Sequence, residues 1–185
     1  TSESYKTHWL CTQAMIEQTT LSWETLEGVT TVIPCKLEYN TATNGFSLIG
    51  YHSANETFHY YSLDTLPTVT VGNVPVEIDA NALYKEYQET NRQTVLFSIY
   101  DLNNAIDRCF NAFCNYEIIG SETEPNTFTL SVEYLPFQEK DIVRILLSLG
   151  AAIRVQEPSI IKDQLNTIYT KAISMLGKEP VNDQL

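Results

Sequence analysis

Several features that mark common functional classes are missing from this sequence. No apolar run approaches the ~20 residues of a membrane-spanning helix. There is no Cys-x-x-Cys pair, and the seven glycines are scattered rather than gathered into a phosphate-binding loop. We therefore expect no membrane span, no local zinc clip and no P-loop.

Positive charge is also scarce. The chain has 11 Lys and Arg residues against 23 Asp and Glu residues, a net charge of −12. Residues 1–90 hold three Lys and eleven acidic residues, a balance of −8, and residues 91–185 hold eight basic and twelve acidic residues, a balance of −4. A surface that grips nucleic-acid phosphates needs clustered cations. We therefore do not expect this chain to bind duplex DNA directly.

No arrangement of side chains predicts catalysis. The carboxylates form no recognisable acid–base pair, and neither a Gly-x-Ser-x-Gly motif nor a Cys–His pairing stands out. His8, His52 and His59 lack the short spacing typical of metal ligands, although His52 and His59 lie across a predicted hairpin. The sequence predicts no catalytic residue, no metal site and no cofactor.

The four cysteines are Cys11, Cys35, Cys109 and Cys114. An even count permits disulfides, but their spacing in a chain of this length favours buried, reduced thiols and a cytoplasmic location. The sequence begins at Thr1, with neither a Met nor the apolar segment of a signal peptide, and we expect it to be a fragment of a longer protein.

The first half has the pattern of a small β-barrel. Hydrophobic residues make up 43% of the chain, which permits a packed core. A short amphipathic helix is predicted at residues 7–17, with Thr7 as its cap. Five strands separated by tight turns follow, at residues 21–26, 29–39, 46–51, 57–63 and 66–71. Such a meander is typical of a barrel. Residues 81–89 are expected to form one or two helical turns within a connector.

The second half changes to a mixed pattern. A strand is predicted at residues 94–100, and Asp101 is predicted to cap a helix that runs to about residue 115. A hairpin (116–119 and 127–134), a helix ended by Gly150 (140–149), a strand (153–156) and a last helix opened by Pro158 follow. The order β-α-β-β-α-β-α is that of a ferredoxin-like split βαβ with a helical tail.

The predicted fold class is therefore α+β. The predicted domains are a barrel with its N-terminal helix at residues 1–78, a connector at 79–93, a ferredoxin-like domain with a C-terminal helix at 94–177 and a tail at 178–185.

Two neighbouring strand segments of the first half are Gly45-Phe-Ser-Leu-Ile-Gly-Tyr51 and Phe58-His-Tyr-Tyr-Ser-Leu-Asp-Thr-Leu66. They resemble the WYL-domain family of bacterial transcription regulators. Phe46, Ser47 and Leu48 stand at the positions of the Trp-Tyr-Leu that names the family. The resemblance implies a small barrel of the SH3/Sm-like kind.

The second half resembles the C-terminal extension of the same family, often called WCX. Residues 101–117 look like its first helix. The run Ile145-Leu-Leu-Ser-Leu-Gly150, followed by Val155-Gln-Glu-Pro158, looks like the end of its second helix, the next strand and the start of the last helix. The two resemblances together cover roughly residues 7–176.

The family is thought to bind a nucleotide-like or nucleic-acid-like effector on the barrel through Arg and aromatic side chains, because Arg matches phosphate and aromatic rings stack on bases. In this sequence the two Arg positions are His59 and Thr65. An imidazole is mostly neutral at pH 7, and Thr offers a single uncharged donor. The resemblance thus implies a site that is lost or retargeted to a less anionic ligand. The predicted ligand-binding residues are Phe46, Ser47, His59, Tyr61 and Thr65.

The resemblance implies the ligand-sensing and oligomerising region of a transcription regulator, with a nucleotide or oligonucleotide as effector. The family's winged helix-turn-helix has no counterpart here, so DNA would be contacted only through an absent N-terminal domain. The alternative is a protein-interaction module, assembled as a homo-oligomer, whose ligand site has degenerated. The missing arginines and the net charge of −12 favour that alternative. Neither hypothesis involves catalysis or a membrane.

Overall fold

The structure is a computed structural model that describes residues 2–40 and 44–177. Its helices are α1 (Ser2–Ile16), α2 (Ala80–Asn91), α3 (Ala105–Ala112), α4 (Glu139–Leu149) and α5 (Ser159–Met175). Its strands are β1 (Leu21–Thr25), β2 (Gly28–Asn40), β3 (Gly45–His52), β4 (Thr57–Ser62), β5 (Thr70–Val71), β6 (Gln93–Tyr100), β7 (Glu117–Glu124), β8 (Thr127–Tyr134) and β9 (Ile153–Glu157). Short 3₁₀ turns occupy Pro136–Gln138 and Gly150–Ala152.

The strands form two antiparallel sheets accompanied by helices, which confirms the α+β fold class. The chain divides into two compact units. The first unit contains the residues up to Arg92 together with Leu135–Gln138, and the second contains Gln93–Tyr134 and the residues from Glu139 onward.

The first sheet is a five-stranded meander in the order β4-β3-β2-β1-β5. Among the strands that the structure describes, β4 and β5 at its two ends do not pair, so the sheet is not closed by hydrogen bonds. The register of β2 against β3 shifts between Pro34 and Lys36. A bulge bends a strand and increases its twist. Pro is tolerated there because a bulge does not require its missing N–H.

Each face of this sheet carries its own apolar cluster. One cluster joins Cys11 and Ala14 of α1 to sheet residues that include Trp23 and Leu48. The other joins Tyr84 of α2 to Ile33, Cys35, Ile49, Tyr51, Phe58 and Leu135. Alternate residues of β3 therefore enter opposite clusters, as a strand covered on both faces requires.

The helices of the first unit are longer than the sequence pattern suggested. Helix α1 begins at Ser2, so Thr7 lies inside the helix and its predicted role as a cap is wrong. Helix α2 has 12 residues and is capped by Asp79, whose side chain accepts a hydrogen bond from the Ala82 amide at 3.0 Å. The predicted strand at 66–71 is reduced to Thr70–Val71.

The second sheet has the strand order β7-β8-β6-β9, with every pair antiparallel. Together with the helices this is the ferredoxin-like split βαβ, in which the first and third strands are central. The predicted element order is confirmed. The apolar stripes of α3, α4 and α5 pack on one face of the sheet around fully buried Phe97 and Phe113, whose ring centroids are 6.0 Å apart.

Two local predictions in this unit are wrong. Asp101 does not cap α3, because Asn103 and Asn104 both adopt left-handed backbone conformations (φ 53° and 56°) and delay the helix to Ala105. Asn tolerates this conformation better than most residues. Cys114 is exposed, whereas Cys11, Cys35 and Cys109 are buried as predicted.

Tyr84 provides a test of how α2 is held. Its side chain is buried and its ring centroid lies 5.2 Å from that of Phe58. We expect Tyr84→Ala to lower the free energy of unfolding by about 3 kcal/mol because the cavity cannot close fully. Lys85→Ala, at an exposed neighbouring position, is the control and should change it by less than ~0.5 kcal/mol. Urea denaturation measures both, and equal small losses would show that α2 does not pack as described.

Candidate functional site

The hairpin of β3 and β4 brings the candidate residues together. Its register places Leu48 opposite Tyr61, Gly50 opposite His59 and His52 opposite Thr57. Side chains directly opposite each other in an antiparallel pair lie on the same face of the sheet. This face is apolar at Leu48 and becomes polar and exposed toward the turn at residues 53–56.

His52, His59 and Tyr61 form a compact group on this face, which we call the imidazole–tyrosine cluster. The ring centroids of His52 and His59 are 4.5 Å apart, and those of His59 and Tyr61 are 6.2 Å apart in nearly parallel planes. Nε2 of His52 and the Tyr61 hydroxyl share a hydrogen bond. The Tyr61 ring also contacts Trp23 edge-on at 4.9 Å, which anchors the cluster on the buried core.

The hydrogen bonds around His59 fix which of its nitrogens is available. The Thr57 hydroxyl donates its proton to Oδ1 of Asn55 at 2.6 Å. The contact of 3.1 Å between Thr57 Oγ1 and His59 Nε2 therefore requires Nε2 to donate. His59 is exposed, and none of the described residues bonds its Nδ1. This atom accepts a hydrogen bond from a ligand when the ring is neutral and donates one when the ring is protonated.

The electrostatics of the cluster differ between its members. Burial, and secondarily the charge of His59, lower the pKa of His52 below its ordinary value. Burial raises the pKa of the Tyr61 hydroxyl. A neutral His52 accepts the Tyr61 proton at Nε2, so this pair is an uncharged support beside His59.

The other predicted site residues take different positions. The Phe46 ring packs edge-on against His8 at 4.5 Å and against Tyr39 at 5.1 Å. Ser47 is buried and lies on the opposite face of the sheet, in register with Ser62. Thr65 is exposed, and its hydroxyl donates to the Ser62 carbonyl at 3.0 Å within its own turn. The structure thus brings together His59 and Tyr61, not all five residues.

His52 belongs to the cluster and buried Trp23 supports it from the core, but neither was among the predicted ligand-binding residues. The signal for His52 was present in the hairpin, because a turn at 53–56 sets His52 opposite Thr57 and diagonal to His59. The contact of Trp23 with Tyr61 depends on the pairing of β1 with β2, which local sequence does not reveal.

Metal ligation and thiol chemistry have little support at this site. In the part of the chain that the structure describes, no group of three His, Cys, Asp or Glu residues is arranged to hold a metal ion. Burial raises the pKa of the Cys11 thiol to about 11 and those of Cys35 and Cys109 to about 12, so these three are protonated and weak nucleophiles at neutral pH.

None of the helices within residues 2–40 and 44–177 has the length and hydrophobicity for a membrane span.

Comparison with known proteins gives structural similarity at low sequence identity. No family model and no curated protein matches the sequence. Among solved structures, the chain is similar to proteasome accessory factor B/C (PafBC) of Arthrobacter aurescens, with 14% identity and a TM-score of 0.38. The match covers 97% of this chain and 30% of that protein, so this chain spans less than a third of its length.

The lowered pKa of His52 predicts a pH dependence of stability. Between that lowered value and about 6.5, the ordinary value for an imidazole, the unfolded chain binds more protons than the folded one. Stability from His52 is therefore present above pH ~6.5 and is lost as the pH falls through the folded value. Urea denaturation between pH 7.5 and 5.5 should show a smaller loss in His52→Gln than in the parent.

His59→Gln is the matched control, and it separates the two causes that lower the pKa of His52. It removes only the secondary, charge-based contribution, so it should reduce the loss less than His52→Gln does. An unchanged pH dependence in His52→Gln would contradict the assignment of a neutral His52 in the folded state.

Proposed function

We propose that this chain is the sensing region of a WYL-type transcription regulator. Its effector binds over the imidazole–tyrosine cluster and biases a separate DNA-binding domain between two states. The chain contributes no catalysis, acts in the cytoplasm and assembles as a homo-oligomer. A ligand can shift such an equilibrium only by its difference in affinity for the two states, so the site must change between them.

The observation that carries the proposal is the available Nδ1 of His59 beside the ring of Tyr61. The resemblance places His59 at one of the positions where family members carry an effector-binding Arg. Here an imidazole stands in place of a permanently charged guanidinium, and it carries a positive charge only in its protonated form. The first 90 residues otherwise carry a balance of −8, so this charge is local and conditional.

The geometry of the two rings supports a proposal for the chemistry of the effector. The rings of His59 and Tyr61 are nearly parallel and offer faces on which a planar ring can stack. The single conditional charge suits one anionic group better than several. A nucleotide or a short single-stranded oligonucleotide has both parts, and weakly charged members of these classes are favoured.

The test compares thermal shifts of the full 185-residue chain with mononucleotides and short single-stranded oligonucleotides at pH 6 and pH 8 in low salt. We expect stabilisation at pH 6 that is several-fold weaker in affinity at pH 8, because protonation of His59 turns Nδ1 into a charged donor. His59→Ala should abolish the difference between the two pH values.

Lys85→Ala is the control for general electrostatics. It removes another exposed cation of the first unit, on α2, and should leave binding unchanged. Loss of binding in both variants would indicate non-specific attraction. No stabilisation by any of these ligands would remove support for the sensing role and favour assembly.

A second function, that of an assembly module, is favoured by helix α5. Its C-terminal half exposes a set of large apolar side chains. These are Ile168, Tyr169, Ile173 and Met175, and Leu176 directly after the helix is exposed as well. Clusters of exposed apolar residues on one helix are typical of interaction surfaces.

If α5 forms a subunit interface, sedimentation velocity at ~10 µM should show a dimer or larger species. Ile173→Lys should weaken association roughly ten-fold or more, because it buries a charge in the interface. The control is Ile119→Lys on β7, which is 64% exposed and outside this helix, and it should have no effect. A monomeric parent chain would contradict the assembly role of α5.

A further inference from the structure

A cavity in the second unit lies between strand β9 and helix α5. Its volume is about 540 Å³, which is within the range of ligand-binding clefts. The strand contributes Ile153, Arg154 and Val155, and the helix contributes residues that include Lys162, Asn166 and Tyr169. We call this cavity the β9–α5 groove.

The groove runs along the backbone of β9 rather than over one face of the sheet. Side chains of consecutive strand residues point to opposite faces, yet three consecutive residues line the cavity. In the sheet order β7-β8-β6-β9, β9 is an edge strand, and among the described strands it pairs only with β6. Its outer edge therefore presents backbone hydrogen-bonding groups to the groove.

The other wall has the spacing of one helical face. Lys162, Leu165, Asn166 and Tyr169 lie at positions i, i+3, i+4 and i+7 of α5. Leu165 is buried in the core and holds this face of α5 against the second unit, whereas Lys162 and Tyr169 remain exposed. The wall thus offers an apolar floor, an aromatic ring and a cation.

The charge of the groove is opposite to that of the chain. Its lining contains Arg154 and Lys162 and no carboxylate. Neither side chain has an ion-pair partner within the residues that the structure describes, whereas Arg144 on α4 pairs with Asp141 at 2.6 Å. Two unpaired cations in one cleft of a chain with a net charge of −12 favour an acidic occupant.

We propose that the β9–α5 groove binds an extended acidic peptide segment, which adds a strand to the edge of β9. The backbone of the peptide pairs with β9, and its apolar side chains contact Leu165 and Tyr169 on the side of α5. Its alternating carboxylates point to the other side of the sheet and meet Arg154, while Lys162 adds a longer-range attraction for the acidic segment. The position of Arg154 on the edge also selects the partner, because a charge there opposes pairing with an apolar strand and attracts an acidic one.

The test measures binding of a fluorescein-labelled, C-terminally amidated peptide, Gly-Val-Glu-Val-Glu-Val, to the full chain by fluorescence anisotropy. We expect saturable binding that weakens with salt. Arg154→Gln should weaken it roughly ten-fold, the loss expected for one charge-assisted contact, and Lys162→Gln should weaken it less, because Lys162 contributes only longer-range attraction. Lys171→Gln, an exposed cation on α5 outside the groove, is the matched control and should bind as the parent does.

Two further peptides test strand addition itself. Alternate residues of an added strand point their N–H groups toward β9. N-methylation of either the three valines or the two glutamates should therefore abolish binding, while methylation of the other set is tolerated. Tolerance of both sets would overturn the proposal, and so would equal binding of a peptide with Lys in place of Glu.

Two further outcomes would overturn the proposal: competition by a small carboxylate, and absence of peptide binding. N-acetylglutamate amide that competes at the same concentration as the peptide would show a site for a single carboxylate and would overturn the peptide assignment. Absence of binding by the acidic peptide, with the chain folded by circular dichroism, would overturn it as well.

Discussion

The first unit depends on one long strand, β2, which is paired on both sides and changes register near its middle. Val32 enters the cluster shared with α1, whereas Ile33 and Cys35 enter the cluster shared with α2. Ordinary alternation sends Val32 and Ile33 to opposite clusters, and the shift between Pro34 and Lys36 then brings Leu37 to the cluster of Val32, which strict alternation would not do. Both faces of the sheet are covered near Leu48 and Ile49, and the polar side chains of the β3–β4 hairpin reach solvent toward its turn.

This constraint explains the composition of the imidazole–tyrosine cluster. Tyr61 lies at the end of the hairpin that the core covers, and its ring packs against Trp23. His59 lies nearer the turn and is exposed. Gly50, directly opposite His59, has no side chain, and a Cβ atom there would come within 3.0 Å of Val32 Cγ2. The hairpin thus combines a rigid apolar base with a polar tip, and a ligand at the tip meets side chains that packing already orders.

Much of the fold could be predicted from the sequence, and its departures have local causes. Alternation and turn residues were sufficient for most strands, although β5 is reduced to Thr70–Val71 and β7 extends to Glu124, beyond the predicted end at residue 119. The pattern of the second half was sufficient for its split βαβ order. Asp101 was expected to cap α3 because it is a good capping residue, but left-handed Asn103 and Asn104 intervene. The extent of α2 was underestimated because its stability comes from Tyr84 packing on the sheet, and local propensity does not report tertiary burial.

The same limit applies to the prediction of the candidate site. His59 and Tyr61 are two residues apart on one strand and share a face by geometry, whereas the burial of Ser47 follows from how both faces are covered.

The charge balance of the chain relates its two candidate surfaces. A protein with a net charge of −12 repels anions at long range, so an anionic ligand must gain its affinity from contacts within a few ångströms. The first unit has no permanent cation at its cluster and acquires one only when His59 is protonated. The β9–α5 groove instead holds two permanent cations with no carboxylate among its lining residues. The positive charge of the first surface therefore depends on protonation of an imidazole, whereas the positive charge of the groove is permanent. Because salt screens the long-range repulsion together with the local attraction, moderate ionic strength should distinguish close-fitting partners from those attracted by charge alone.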